Sequence, residues 1–66
     1  MRVRIDELKL AIAMVKKGLN VTQLANECGL SRQTISLAKA GKRIKPETAA
    51  IVAAALGVEV ADLLEE

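Results

Sequence analysis

The stretch NECGLSRQTISLAKAG, residues 26–41, contains two runs of helix-forming residues separated by one glycine. Gly29 stands where glycine can adopt a left-handed backbone and end a helix without steric cost. Ser31 follows as a candidate helix N-cap, and Leu30 and Ile35 have the spacing of a hydrophobic staple. Because only residues 29–31 join the two runs, the two helices are predicted to cross steeply.

The apolar residues of this stretch indicate which sides of the two helices face inward. Leu24, Ala25 and Cys28 share one face of the first helix, and Ile35 and Ala38 share one face of the second. Ala25 is small enough to let the helices approach closely. This spacing is that of a helix-turn-helix unit.

Glycines and caps divide the remainder of the chain in the same way. The sequence predicts an all-α, compact five-helix domain covering residues 1–66, with helices at about 5–17, 21–28, 32–40, 46–56 and 60–65. Asn20 and Gln23 form a predicted capping box, and Pro46 suits a first helical turn. The alternation in MRVRI, residues 1–5, is too short to predict a strand.

Composition excludes several classes of function. The 66 residues include no aromatic residue, no histidine and one cysteine. An aliphatic core is therefore expected, without a zinc site, a Cys/His pair, an internal disulfide or a site for a small-molecule ligand. The sequence also lacks paired catalytic carboxylates and a phosphate-binding glycine loop, so neither an enzyme nor a cofactor is expected.

The lone thiol and the start of the chain bear on location. Cys28 is interpreted as core filler, with redox sensing as the alternative. An unpaired thiol suits a reducing cytoplasm. The first residues do not form a signal peptide or a membrane span, and a cytoplasmic protein is therefore expected.

Charges are sorted along the chain. Between Cys28 and Pro46 every charged residue is basic, whereas every charge after Gly57 is acidic: Glu59, Asp62, Glu65 and Glu66. This asymmetry indicates a basic face for a polyanion, and an ordinary solvated surface is the alternative.

The segment LNVTQLANECGLSRQTISLAKAGKRIKPETAAIVAAALGVEVADLL, residues 19–64, resembles the Cro and lambda-repressor (XRE) type of helix-turn-helix domain. The resemblance extends from about Leu10 to Leu64 and implies the lambda-repressor-like fold of a DNA-binding regulator. Family members commonly have an Arg in helix one that forms an ion pair with a Glu, and this Glu stands just before the glycine that corresponds to Gly41. Met14, Ala38 and Lys39 occupy that region here, which indicates an apolar replacement of the ion pair. Lys45 replaces the usual Ser or Thr cap of helix four.

The predicted recognition helix supplies candidate base-reading residues. With Ile35 and Ala38 turned inward, steps of about 100° per residue place four candidates on the opposite face. An arginine can pair with guanine, a glutamine with adenine, and a leucine can contact a thymine methyl. The resemblance implies the same positions. The candidates are Arg32, Gln33, Ser36 and Leu37.

Residues beside that face are candidates for phosphate contacts. A helix N-terminus offers free N–H groups to an anion, and basic loop residues can contact the backbone of the duplex. The candidates are Asn20, Thr22, Lys42, Arg43 and Lys45.

The predicted function is that of a transcriptional regulator that binds double-stranded DNA sequence-specifically. It is expected to be a repressor that binds a pseudo-palindromic operator as a homodimer. One recognition helix reads too few base pairs to define a site in a genome, so two copies are expected. Surplus apolar residues predict two possible dimer interfaces, one on helix one and one in the C-terminal region. The resemblance favours the C-terminal interface, formed by Ile51, Ala55, Leu63 and Leu64. The alternative function is a protein-interaction module, of the antitoxin or antirepressor type, on the same fold.

Overall fold

A computed structural model describes residues 1–65 of the chain. Glu66, which belongs to the predicted domain and to its acidic tail, lies outside the described residues. Residues 1–65 form four α-helices, a two-stranded antiparallel sheet and one short 3₁₀ turn. In chain order these are β1 (Val3–Arg4), α1 (Glu7–Lys17), α2 (Val21–Cys28), α3 (Arg32–Lys39), β2 (Arg43–Ile44), α4 (Pro46–Leu56) and the 3₁₀ turn (Val60–Asp62).

Local side-chain bonds define where the helices begin. The predicted capping box of α2 is present, since Asn20 Oδ1 accepts from Gln23 N at 2.8 Å and Gln23 Oε1 accepts from Asn20 N at 2.9 Å. Asp6 Oδ1 accepts from Lys9 N at 2.9 Å and caps α1. Pro46 occupies the first turn of α4, as expected.

The predicted fifth helix is wrong. Val60–Asp62 form a single 3₁₀ turn, Leu63 ends it with helical backbone angles, and Leu64 then forms a β-bridge with Ile5. Leu63 O accepts from Asp6 N at 2.7 Å, and Glu65 N donates to Arg4 O at 3.0 Å. Because these backbone groups bond to the N-terminal segment, they cannot continue a helix.

The N-terminal residues form the strand that the sequence did not predict. Val3 pairs with Ile44, and Arg4 pairs with Arg43. Ile5 forms an isolated antiparallel bridge with Leu64, so α1 begins at Glu7 and not at Ile5. The expected all-helical fold is therefore mostly helical with one small sheet.

The core is built from aliphatic side chains of every helix and both strand regions. Met14 and Ala38 are both buried, and α1 packs against α3. Their burial supports the predicted apolar replacement of an ion pair. The buried set is Ile5, Leu10, Met14, Leu24, Ala25, Ile35, Ala38, Ile44, Ala49, Val52, Ala53, Leu56 and Leu63. Among the described helices, none is long and apolar enough to span a membrane.

Candidate nucleic-acid interface

The turn between α2 and α3 has the geometry that its sequence predicts. Gly29 is left-handed, with φ of 69°, and its N–H reaches the carbonyls that end α2. Leu30 N donates to Ala25 O at 3.0 Å. Ser31 Oγ then accepts from Thr34 N at 3.1 Å and lies 2.9 Å from the Thr34 hydroxyl. These bonds determine the direction in which α3 leaves the turn.

Burial on α3 separates an inner face from an outer one. Ile35 and Ala38 are fully buried, and α2 contributes Leu24 and Ala25 to the same interior. All four predicted base-reading side chains, Arg32, Gln33, Ser36 and Leu37, are exposed. The outer face of α3 therefore offers a guanidinium, a carboxamide, a hydroxyl and an aliphatic group on one surface.

The N-terminus of α2 presents the first pair of predicted phosphate contacts. Asn20 and Thr22 are both exposed. The Asn20 carboxamide oxygen is engaged by Gln23 N in the capping box, which leaves its NH₂ group as the donor directed to solvent. The first backbone N–H groups of a helix carry partial positive charge, so an anion is stabilised there.

A second group of cations lies on the segment between α3 and α4. Lys42, Arg43 and Lys45 are exposed, whereas Ile44 is buried. Because side chains alternate along a strand, Arg43 and Lys45 lie on the same side of the sheet. Lys45 is the N-cap residue of α4, and its side chain makes no capping bond. Its ammonium group is therefore available for an anion.

Sequence reasoning missed two further cations, Arg2 and Arg4. Both are exposed on β1 or beside it, and the Arg4–Arg43 pairing places them on the side of the sheet that carries Arg43 and Lys45. Arg2 also lines one surface depression with Leu37 of α3. Arg4 lies 4.0 Å from Glu65, so its charge is partly compensated. The alternation of Arg and aliphatic residues at positions 2–5 was the available signal.

The predicted dimer-interface residues do not form one exposed surface. Ile51 is 42% exposed, whereas Ala55 and Leu64 are partly buried and packed against the core. Leu63 is 1% exposed. The structure therefore corrects the assignment of Leu63, because a side chain that fills the interior cannot contact a second copy.

Cys28 packs partly buried against the core. Burial raises the pKa of its thiol, and the neighbouring Glu27 carboxylate adds to the increase. The thiol is therefore held in its less reactive protonated form. In the part of the chain that is described, residues 1–65, no group of three or more His, Cys, Asp or Glu residues could hold a metal ion.

A solved structure of another protein has a closely similar fold. It is that of a mutant hydroxyethylphosphonate dioxygenase, with a TM-score of 0.83 and 30% sequence identity over 96% of this chain. This chain spans only 14% of the length of that protein. No curated protein matched the chain.

A family model described as helix-turn-helix matches residues 10–63. The match covers α2 and α3, the segment that carries Lys42, Arg43 and Lys45, α4 and the 3₁₀ turn. The chain therefore belongs to the helix-turn-helix family, of the Cro and lambda-repressor (XRE) type.

Proposed function

We propose that the protein is a sequence-specific transcriptional repressor that binds a pseudo-palindromic site in double-stranded DNA as a homodimer. The observation that carries this proposal is the exposed polar face of α3 beside a sheet surface with four cationic side chains, Arg2, Arg4, Arg43 and Lys45. A duplex offers base edges in its major groove and phosphates on both sides of that groove. The two surfaces match these two kinds of target.

Base reading is assigned to the exposed face of α3. Arg32 lies at the first turn, where its guanidinium can pair with O6 and N7 of guanine. Gln33 can pair with N6 and N7 of adenine, Ser36 can donate or accept a hydrogen bond, and Leu37 can contact a thymine methyl. The order of these groups along α3 determines the order of preferred bases.

Phosphate binding is assigned to the two sides of that face. Asn20 and Thr22 contact one strand from the N-terminus of α2. Lys42, Arg43 and Lys45 contact the backbone from the other side, and Arg2 joins them. These contacts position α3 and make affinity depend on salt concentration.

The proposal includes neither catalysis nor a cofactor or small-molecule ligand. The dioxygenase whose structure is similar is a much longer protein, of which this chain spans 14%, so the name of that protein does not imply catalysis by this chain. Repression requires only that the operator be occupied, so DNA binding suffices for the effect. We place the protein with DNA in a reducing cytoplasm, where the thiol of Cys28 stays unpaired.

A protein-interaction module is the second candidate. It is favoured by one observation, the exposure of three large aliphatic side chains on α1, namely Leu8, Ile12 and Val15. Exposed apolar patches mark protein contacts. A module of this kind would need those residues and would not need Arg32 or Gln33.

Selection of binding sites from a random double-stranded DNA library tests the function. The wild type is expected to enrich a short motif repeated with two-fold symmetry. The double variant Arg32→Ala and Gln33→Ala serves as the matched control, because both side chains are exposed and their loss leaves the core intact. Failure of the folded wild type to enrich any motif at low salt would favour the interaction module.

A further inference from the structure

Helix α1 exposes a continuous aliphatic surface to solvent. Leu8 is 69% exposed, Ile12 46% and Val15 80%, and Ala11 is exposed between them. Their spacing of three and four residues places them on one side of the helix. We call these residues, Leu8, Ala11, Ile12 and Val15, the α1 stripe.

The α1 stripe is not part of the core. Leu10 and Met14 are buried on the opposite side of the helix, so the interior is filled without the stripe. Other large apolar side chains of comparable exposure in residues 1–65 are Met1, Leu37 and Ile51, each on a different part of the chain. A domain this small buries little of its apolar surface, and an accumulation on one helix marks a contact site.

We propose that the α1 stripe binds the α1 stripe of a second copy, with the two helices antiparallel. The proposal rests on the proposed dimer and names its interface. Reversal of the helix exchanges Leu8 with Val15 and Ala11 with Ile12, so the stripe is complementary to itself under a two-fold axis. A two-fold interface requires this property, since each copy contributes the same surface.

The charges of α1 favour the antiparallel arrangement. Asp6 and Glu7 lie at its N-terminal end, and Lys16 and Lys17 lie in its last turn. An antiparallel pair places the acidic end of each helix beside the basic end of its partner and opposes the two helix dipoles. A parallel pair would place like charges together at both ends.

The arrangement also keeps the loops after α3 of both copies on one side of the pair. On one flank of the stripe, Glu7 lies against the loop after α3, where a Cβ on Gly41 would be 3.3 Å from Glu7 Oε1. On the other flank, Lys9 and Lys16 line a groove with Val58. A two-fold axis through the stripe, perpendicular to both helices, keeps each flank on its own side. Both copies therefore present the loop that carries Lys42 on the same side of the pair, as binding to one duplex face requires.

The test compares two isoleucines of nearly equal exposure on different helices. Ile12 is 46% exposed on α1, and Ile51 is 42% exposed on α4. Ile12→Glu is expected to raise the dimer dissociation constant at least about tenfold in sedimentation equilibrium, because two carboxylates would meet in an apolar contact. Ile51→Glu is expected to leave it unchanged. Thermal unfolding by circular dichroism checks that both variants fold.

A second measurement tests the antiparallel register without a charged substitution. In a Cys28→Ala background treated with oxidised glutathione as the oxidant, Ala11→Cys is expected to form an intermolecular disulfide, since the two-fold axis passes between positions 11 and 12. Ala54→Cys, exposed on α4, is the control and is expected to stay reduced.

Three outcomes would overturn the interface. They are a wild type that is monomeric at high micromolar concentration, dissociation by Ile51→Glu and not by Ile12→Glu, and equal disulfide formation at both positions. Binding of Ile12→Glu to a single half-site is measured in parallel. Half-site affinity equal to that of the wild type confirms that DNA binding is intact and that only assembly has changed, whereas absence of DNA binding by the wild type would contradict the proposed function instead.

Discussion

Arg4 lies directly opposite Arg43 across the two-stranded sheet of this small domain. Two like charges in that position destabilise a sheet. Glu65 offsets part of this repulsion at 4.0 Å from Arg4. Phosphates would offset the remainder, so we expect this surface to contribute to binding of DNA of any sequence.

Salt dependence measures the phosphate contacts. Arg43→Ala and Arg2→Ala are each expected to weaken binding to all sequences alike and to lower the slope of log K against log salt by about one. Lys17→Ala, a cation at the end of α1, is the control and is expected to leave the slope unchanged on a single half-site. An unchanged slope for Arg2→Ala would remove Arg2 from the contacts.

Arg32 is expected to read a base. Arg32→Ala should cost about 1–3 kcal/mol at one base pair and relax the preference there, while binding to nonspecific DNA stays nearly intact. Binding measured on the four duplexes that differ at each position identifies that base pair. Equal losses on every duplex would make Arg32 a phosphate contact.

Lys45 links stability to DNA binding. Its side chain occupies the N-cap of α4 without capping it, so Lys45→Ser is expected to stabilise the domain by about 1 kcal/mol. The same change removes a cation and is expected to weaken DNA binding at low salt. Urea unfolding and a binding titration measure the two effects, and Lys45→Ala, which supplies no cap, separates them.

The helix-turn-helix turn depends on the backbone of Gly29. Its φ is 69°, and a Cβ there would meet nothing within 4 Å. Gly29→Ala is therefore expected to cost about 1–2 kcal/mol through backbone strain alone. Gly29→Asn is expected to cost less, because asparagine adopts the left-handed conformation more readily. Equal losses in chemical unfolding would contradict this explanation.

The thiol of Cys28 is expected to react slowly with alkylating reagents. Burial and the charge of Glu27 raise its pKa in the folded chain, so the folded protein holds the thiol proton more tightly than the unfolded protein. Stability is expected to be complete below the pKa of the unfolded thiol and to fall as pH rises through that of the folded one, an effect that Cys28→Ala removes. Iodoacetamide is expected to alkylate native Cys28 more slowly than the urea-unfolded chain at the same pH. An equal rate would show that the site gives the thiol no protection.

Local patterns in the sequence were enough to predict the helices α2 and α3 and the outward face of α3. The caps at Asn20 and Ser31 bond to residues three positions away, and inward residues recur with the helical period. Such interactions are local, so they can be recognised without knowing where the rest of the chain lies.

The conformation of the two ends of the chain depends on contacts between distant segments. Val3 pairs with Ile44, and Leu64 bridges Ile5, between segments whose short patterns do not reveal their partners. These pairings replace the predicted fifth helix, bury Leu63 and bring Arg2 beside Leu37. They also leave the α1 stripe exposed, because the core is already complete on the other side of that helix. Long-range pairing depends on which distant groups are free to meet, and that is a property of the packed chain.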